Sequence, residues 1–222
     1  MKKLYINITN KCNVCCPFCC MDSNKNKQSF MNFEIFYGII NRINTPTIAQ
    51  LEGGEPTIHP LLYLFLEYLS TLDQIKEIVI DTNALNLDKQ IDKFVEIAGR
   101  NEKLIIIKPS YNNYLKEIYE NNNPIKFNNY LTNLISACEF IPFIKFEINI
   151  RGYNNEELEI LKNDFPQKIK TNCHILNSYG RAENNKSLPD LQINNVYDEW
   201  ECYASDGTCF FKDLRGRAKY EK

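Results

Sequence analysis

Hydrophobic and polar positions along the chain alternate between two periods. KLYINIT (3 to 9) sets Leu4, Ile6 and Ile8 against Tyr5, Asn7 and Thr9, the period of a strand. Ile35, Phe36, Ile39, Ile40 and Ile43 then recur at helical spacing, with Asn32 as N-cap. TIAQLE (47 to 52) is a second strand; GGEPT and an apolar helix, PLLYLFLEYLSTL, follow, with Pro60 at the helix start. EIVID (77 to 81) is a third strand, and Leu87, Ile91, Phe94, Val95 and Ala98 form the stripe of its helix. KLIII (103 to 107) leads to a helix carrying Phe127, Tyr130, Leu131, Leu134, Ile135 and Cys138. FIKFEINI (143 to 150), a helix near 155 to 165 and KIKTNCHIL (168 to 176) complete the series.

Six strands alternating with five amphipathic helices predict an α/β fold, a partial (βα)6 TIM-like barrel over residues 1–182. A linker and a small C-terminal module are expected over 183–222, with a short β-hairpin extension turning at Asp206-Gly207. In such barrels functional residues gather where strands end. The cysteine-rich stretch 12–20, GGE, DTNAL, KPSYN, NIRGY and LNSYGRA all follow predicted strands and so share one rim. Within the fifth strand Ile144, Phe146, Ile148 and Ile150 alternate with Lys145, Glu147 and Asn149. The polar set faces either the barrel lumen or solvent at an edge.

Composition narrows the partners. The 222 residues carry a net charge of −2 and no basic block, so nucleic acid is not the expected partner. The most apolar stretch, LLYLFLEYL, is interrupted by Glu67 and is too short to span a membrane. Two lysines precede no signal-like apolar segment, which points away from secretion. Crowded cysteines imply a reducing compartment, and a cytoplasmic location is expected.

Five of the 9 cysteines fall in CNVCCPFCC, and Cys12, Cys16 and Cys19 are spaced C-x3-C-x2-C. Three soft thiolates on one short loop can hold three irons of a [4Fe–4S] cube and leave the fourth open for chemistry. Cys15 and Cys20 complete no such spacing with other cysteines. A zinc knot is the alternative, but Cys12/Cys15 and Cys16/Cys19 abut where zinc pairs favour a spacer.

This loop resembles that of the radical S-adenosylmethionine (radical SAM) enzymes, and the resemblance covers about residues 3 to 182. It implies a [4Fe–4S] cluster on Cys12, Cys16 and Cys19, and S-adenosyl-L-methionine as second cofactor. Phe18 would contact the adenine. Gly53-Gly54-Glu55-Pro56 resembles the family's GGEP, which binds the methionine amino group; glycines allow close backbone approach and a carboxylate suits an ammonium. Thr82-Asn83-Ala84 is similar to the family's TNG, with Ala84 in place of glycine. Ser110 stands where a serine often contacts the ribose after the fourth strand, and Asn149 and Arg151 where the fifth supplies ribose or carboxylate contacts. Tyr179-Gly180-Arg181-Ala182 resembles a GRA-like loop of the peptide- and molybdopterin-modifying branches, which the N-terminal pattern also favours.

The implied reaction is reductive cleavage of S-adenosylmethionine to a 5′-deoxyadenosyl radical, which takes hydrogen from a peptide or small-molecule substrate. The electron would come from a donor such as flavodoxin or ferredoxin. Peptide recognition would need a separate partner or the C-terminal module. The remaining Cys173, Cys202 and Cys209 look like a truncated form of the family's SPASM extension, too few for an auxiliary cluster, so one cluster is expected. His174 is a better functional candidate than His59, Cys138 belongs to a helix stripe, and no side chain is assigned as acid or base. Two other readings stay open: a glycyl-radical-enzyme activase, and a non-enzymatic cysteine-rich metal or redox module.

Overall fold

The computed structural model describes residues 1–176, Arg181 and residues 200–210. The expected linker, and Tyr179, Gly180 and Ala182, lie outside these. In chain order the elements are β1 (Lys2–Thr9), α1 (Phe33–Ile40), β2 (Thr47–Gly53), α2 (Leu62–Ser70), β3 (Ile75–Thr82), α3 (Ile91–Arg100), β4 (Leu104–Tyr111), α4 (Asn113–Glu120) and α5 (Phe127–Cys138). They continue with β5 (Ile144–Phe146), β6 (Ile148–Gly152), α6 (Asn155–Lys162), β7 (Thr171–Ile175), β8 (Trp200–Tyr203) and β9 (Cys209–Phe210).

The sheet runs β7-β6-β4-β3-β2-β1-β8-β9, with β5 also paired to β4. All pairings are parallel except β8 with β9. Its two edges do not meet, so the α/β fold is the expected open, partial barrel.

Local chemistry places the elements as the spacing predicts. The Asn32 side chain caps α1 by accepting from the Ile35 N–H at 2.8 Å. Phe36 of α1 stacks on Phe65 of α2 with ring centroids 4.1 Å apart, both fully buried beneath the sheet. Several details differ from the spacing. Pro60 lies before the Leu61 N-cap of α2 rather than in its first turn, because Pro56–Ile58 form their own 3₁₀ turn. β4 continues through Pro109 to Tyr111, which puts Ser110 inside the strand. Helix α4 is additional, started by Asn112, whose side chain accepts from the Leu115 N–H. The fifth strand divides at Glu147 into β5 and β6 with the same partner offset on β4 either side of the break. The hairpin forms at Asp206-Gly207, with Gly207 at φ 84°, and its first strand extends the sheet alongside β1.

The alternation in the fifth strand resolves in favour of the lumen. Ile144, Ile148 and Ile150 join the core under the helices. Lys145 and Glu147 line a cavity of about 650 Å³ with Lys3, Glu77 and Lys108. A small apolar layer of Ile48, Val79 and Ile106 lies within this inner face. One residue pair further along the strands the face turns polar, with Gln50, Glu52, Asp81 and Asn149 in mutual hydrogen bonding.

Candidate functional site

The rim is built from the loop after β1. Its chain leaves the sheet at Thr9, whose hydroxyl donates to the Ser29 carbonyl at 2.8 Å, and the Cys12 N–H donates to the Asn24 carbonyl at 3.1 Å. The Cys19 N–H closes a turn on the Cys16 carbonyl at 3.2 Å. Thus Cys12, Cys16 and Cys19 are presented by one closed loop. Their charges interact, with Cys16 sensing both other thiols. Burial pushes the Cys12 thiol up to about 11 and the Cys16 thiol to about 12. Among the described residues no three His, Cys, Asp or Glu side chains converge on one point where a single ion could sit. A cube does not require that convergence, since each thiolate takes a different iron.

The loop is clamped from outside. The Arg181 guanidinium donates to the Cys16 carbonyl, to the Ser23 carbonyl at 2.8 Å and to the Asp22 carboxylate at 3.1 Å. Its own backbone N–H donates to the Cys19 carbonyl at 3.0 Å. Two N–H groups also point at thiol sulfurs: Asn83 Nδ2 to Cys12 at 3.8 Å and the Ser23 N–H to Cys19 at 3.4 Å. Such bonds orient and tune sulfur ligands.

The glycine loop is stitched to the same chain. The Gly54 N–H donates to the Thr9 carbonyl at 2.7 Å and the Glu55 N–H to the Lys11 carbonyl at 2.9 Å. The approach excludes any side chain: a Cβ on Gly53 would lie 2.2 Å from the Thr9 oxygen, and one on Gly54 would lie 2.0 Å from the Lys11 oxygen. Gly53 also takes φ 126°, a conformation glycine favours.

Glu55 behaves differently from a residue waiting for an ammonium group. Fully buried, its carboxylate accepts from the Thr57 N–H at 3.1 Å, the Thr57 hydroxyl at 2.7 Å, the Thr82 hydroxyl at 2.7 Å and the Asn83 N–H at 2.6 Å. Three of these donors converge on Oε1 and the Asn83 N–H alone reaches Oε2. Burial raises this carboxyl above its usual range while the donors pull it down. Glu55 thus locks the loop after β2 to the loop after β3, and Pro56 opens the 3₁₀ turn behind it. Asn83 extends the lock to the cysteine loop by donating to Asn13 Oδ1 at 2.7 Å. Ala84, where the family pattern has glycine, occupies the left-handed region at φ 61°.

Phe18 lies partly buried against Leu176 and edge-on to Tyr114 and Tyr153, at 6.3 and 6.2 Å between centroids. These residues, from the loops after β1, β6 and β7 and the first turn of α4, form a wall whose Tyr114 hydroxyl donates to the Cys15 carbonyl at 3.1 Å. Ser110 pairs in register with Asn149, and the Asn149 amide donates to Asp81 at 3.0 Å. Arg151, half-buried, makes no hydrogen bond or ion pair among the described residues, yet its charge acts on Cys16, Cys20, Glu52 and Asp81. Among the described residues no carboxylate lies within ion-pair distance of this cation beside the cysteine loop.

The two histidines separate. His59 is buried, accepts from the Leu61 N–H through Nδ1 at 3.0 Å and packs on Phe30 and Phe65, so it supports the glycine loop from behind. His174 pairs in register with Arg151, and burial followed by that charge lowers its pKa. Cys138 is core. Cys173 is exposed on β7, while Cys202 accepts from Asn7 Nδ2 at 3.6 Å. Sequence reasoning did not foresee the roles of Arg181, Asn13, Tyr114 or Tyr153. For the two tyrosines the signal was present, as each stands just beyond a strand end.

A family model described as "Radical SAM superfamily" matches residues 6–165. GTP 3′,8-cyclase of Mannheimia succiniciproducens is 23% identical over 171 residues, covering 72% of this chain and 48% of the relative. An uncharacterized protein of Methanocaldococcus jannaschii is 28% identical over 196 residues, 86% of this chain and 63% of its own length. Streptococcus suis SuiB bound to its precursor peptide SuiA superposes with TM-score 0.60 at 20% identity, covering 85% of this chain and 42% of SuiB. AnSMEcpe with bound AdoMet and Cp18Cys peptide gives 0.52 at 16% identity, covering 90% of this chain and 54% of its own. The chain spans about half the length of most of these proteins.

Proposed function

Since the chain belongs to the radical SAM superfamily, we propose that it is an enzyme that cleaves S-adenosylmethionine reductively at a [4Fe–4S] cluster on Cys12, Cys16 and Cys19. The loop's fixed geometry carries this reading: three thiols on a loop clamped by Arg181 and stitched to an uncrowdable glycine turn. When bound, the cluster supplies the electron that splits the sulfonium into methionine and a 5′-deoxyadenosyl radical, which takes hydrogen from a peptide or small metabolite.

The chain's own residues bind and orient. With Glu55 Oε1 taken up by three donors and the carboxylate fully buried, the methionine ammonium would be met by the backbone carbonyls of Gly53 and Gly54, in the loop that Glu55 holds in place. The Arg151 guanidinium, without a carboxylate partner among the described residues, suits the methionine carboxylate. The wall of Phe18, Tyr114 and Tyr153 offers flat apolar area for adenine, and Ser110 and Asn149 border the ribose position. The loops together screen the reactive centre from water. Peptide substrates are favoured by the peptides bound to SuiB and anSMEcpe, and an external donor such as flavodoxin or ferredoxin would deliver the electron. Among the described residues no helix is long and apolar enough to cross a membrane.

The test is 5′-deoxyadenosine release after anaerobic reconstitution with S-adenosylmethionine and a strong reductant. Wild type is expected to release it and Cys16→Ala none. Wild-type protein that holds iron yet fails to bind S-adenosylmethionine would overturn the proposal.

A further inference from the structure

Building on that function, we infer that Asn7, Glu52 and Asp81 form a lumen subsite for a protonated nitrogen of the substrate, an amine or a guanidine. The three residues stand side by side across β1, β2 and β3. Asn7 pairs with Glu52 in register, and Leu51 pairs with Ile80, which makes Glu52 and Asp81 neighbours one residue further on. Each immediately precedes a rim loop or lies beside one, so the row sits directly inside the cofactor site.

The acceptors outnumber the donors that the protein supplies. A single nitrogen, Gln50 Nε2, serves both carboxylates, donating to Glu52 Oε2 at 2.8 Å and to Asp81 Oδ2 at 2.6 Å. Asp81 Oδ1 receives Asn149 at 3.0 Å, and Glu52 Oε1 receives no donor among the described residues. Neither carboxylate has a Lys or Arg nitrogen within 4.0 Å among the described residues. The second observation is independent of charge. Asn7 Oδ1 is buried without any partner, in a residue only 4% exposed. An orphaned buried acceptor costs about 1–3 kcal/mol unless something donates to it. Asn7 Oδ1 and Glu52 Oε1 belong to residues paired in register on β1 and β2, and a group with several N–H bonds would serve both.

Charge decides between a neutral and a cationic donor. The cations acting on the pair are Arg151, Lys108 and Lys3. Lys108 is matched by Glu147 at 3.4 Å, and Arg151 is assigned to the methionine carboxylate. Lys3 is nearly fully buried, and desolvation and Lys108 lower its pKa to about 8. Burial and the neighbouring Asp81 charge push the Glu52 carboxyl up to about 7, and a cation held between the two carboxyls would offset that repulsion. Glu52 and Asp81 are half-buried rather than sealed, and the cavity of about 650 Å³ reaches Lys3 and Lys108, the lysines next to them.

The test uses n-butylammonium, n-butylguanidinium and n-butanol, titrated into the reconstituted full chain with and without S-adenosylmethionine. Binding is followed by the side-chain amide resonances of Asn7 and Gln50. Both cations are expected to bind at least tenfold more tightly than n-butanol, and Glu52→Gln and Asp81→Asn each to weaken them about tenfold. Circular dichroism checks each variant's fold, and either folded variant suffices. Cations binding no better than n-butanol, or losses under threefold in the folded variants, would overturn the subsite. Failure of wild type to bind S-adenosylmethionine would instead sink the proposed function, because the cation titration reads polypeptide groups alone.

Discussion

Arg181 holds Cys16 by its backbone, donating from the guanidinium to the Cys16 carbonyl while its own N–H reaches Cys19. A residue 165 positions away thereby fixes the turn on which two of the three thiols sit. Arg181→Gln removes the donors to Cys16, Ser23 and Asp22; charge-assisted bonds are worth about 1.5–3 kcal/mol each when intact. The variant should load iron but lose it to a chelator at least tenfold faster, read from the decay of the cluster's visible absorbance. Equal decay rates would remove Arg181 from the account.

Two glycine substitutions should have opposite signs. Gly54→Ala would force a Cβ to 2.0 Å from backbone oxygen and break the loop's bonds to Thr9 and Lys11. A loss of about 3 kcal/mol or more is expected in urea unfolding, together with loss of S-adenosylmethionine binding. Gly38→Ala, within α1, meets nothing within 4 Å and should stabilise by about 0.5–1 kcal/mol.

Glu55→Gln keeps the shape but halves the acceptor capacity. An amide oxygen cannot serve the four donors that the carboxylate satisfies, so a buried donor from Thr57, Thr82 or Asn83 is orphaned. The expected cost is about 2–4 kcal/mol in chemical unfolding. A neutral result would mean that the carboxylate is protonated in the folded chain.

His59 sets a pH dependence with a definite sign. Burial lowers its pKa from 6.5 to about 4, so the unfolded chain takes up a proton before the folded one does. Its contribution is complete above the unfolded value and is lost as pH falls from about 6.5 towards 4. Comparing wild type with His59→Gln, the stability gap should shrink by up to about 3 kcal/mol between pH 7 and pH 4. A gap that does not move with pH would show that the imidazole charges in place.

Ala84 is held at φ 61°, where a Cβ costs about 1–2 kcal/mol, but its methyl is buried at 1% exposure. The two effects nearly cancel in Ala84→Gly, which should change stability by less than about 1 kcal/mol, whereas Ala84→Val adds branching to the strain and should cost several times more. Thermal melts of the pair decide it.

The strands and most helices were legible because their apolar period was long and uninterrupted, as in Leu4, Ile6 and Ile8 or Phe127 to Cys138. The lumen was legible only as one of two options, since alternation at 143–150 reads the same at a solvated edge. Helix α4 escaped notice because its stripe is short, resting on Leu115 and Tyr119, and the fourth strand was expected to end with KLIII at Ile107 although it runs on to Tyr111. β8 has four residues and no apolar run, so its place beside β1 depends on tertiary pairing alone. In the site, spacing singled out the thiols and glycines, which are local. It did not disclose that Glu55 is bonded to the loop after β3, because Thr82 and Asn83 meet it only through the sheet.

Placing β8 beside β1 also bears on how the chain reaches its native state. Lys2 and Glu201 pair at 2.5 Å across 199 residues. Contacts of such separation close slowly, after loop entropy has been overcome. During synthesis the edge of β1, whose end launches the cysteine loop, stays unpaired until residues 200–203 have left the ribosome, and an open strand edge is a template for unwanted pairing. Maturation of the proposed iron site would therefore follow, not precede, the arrival of β8.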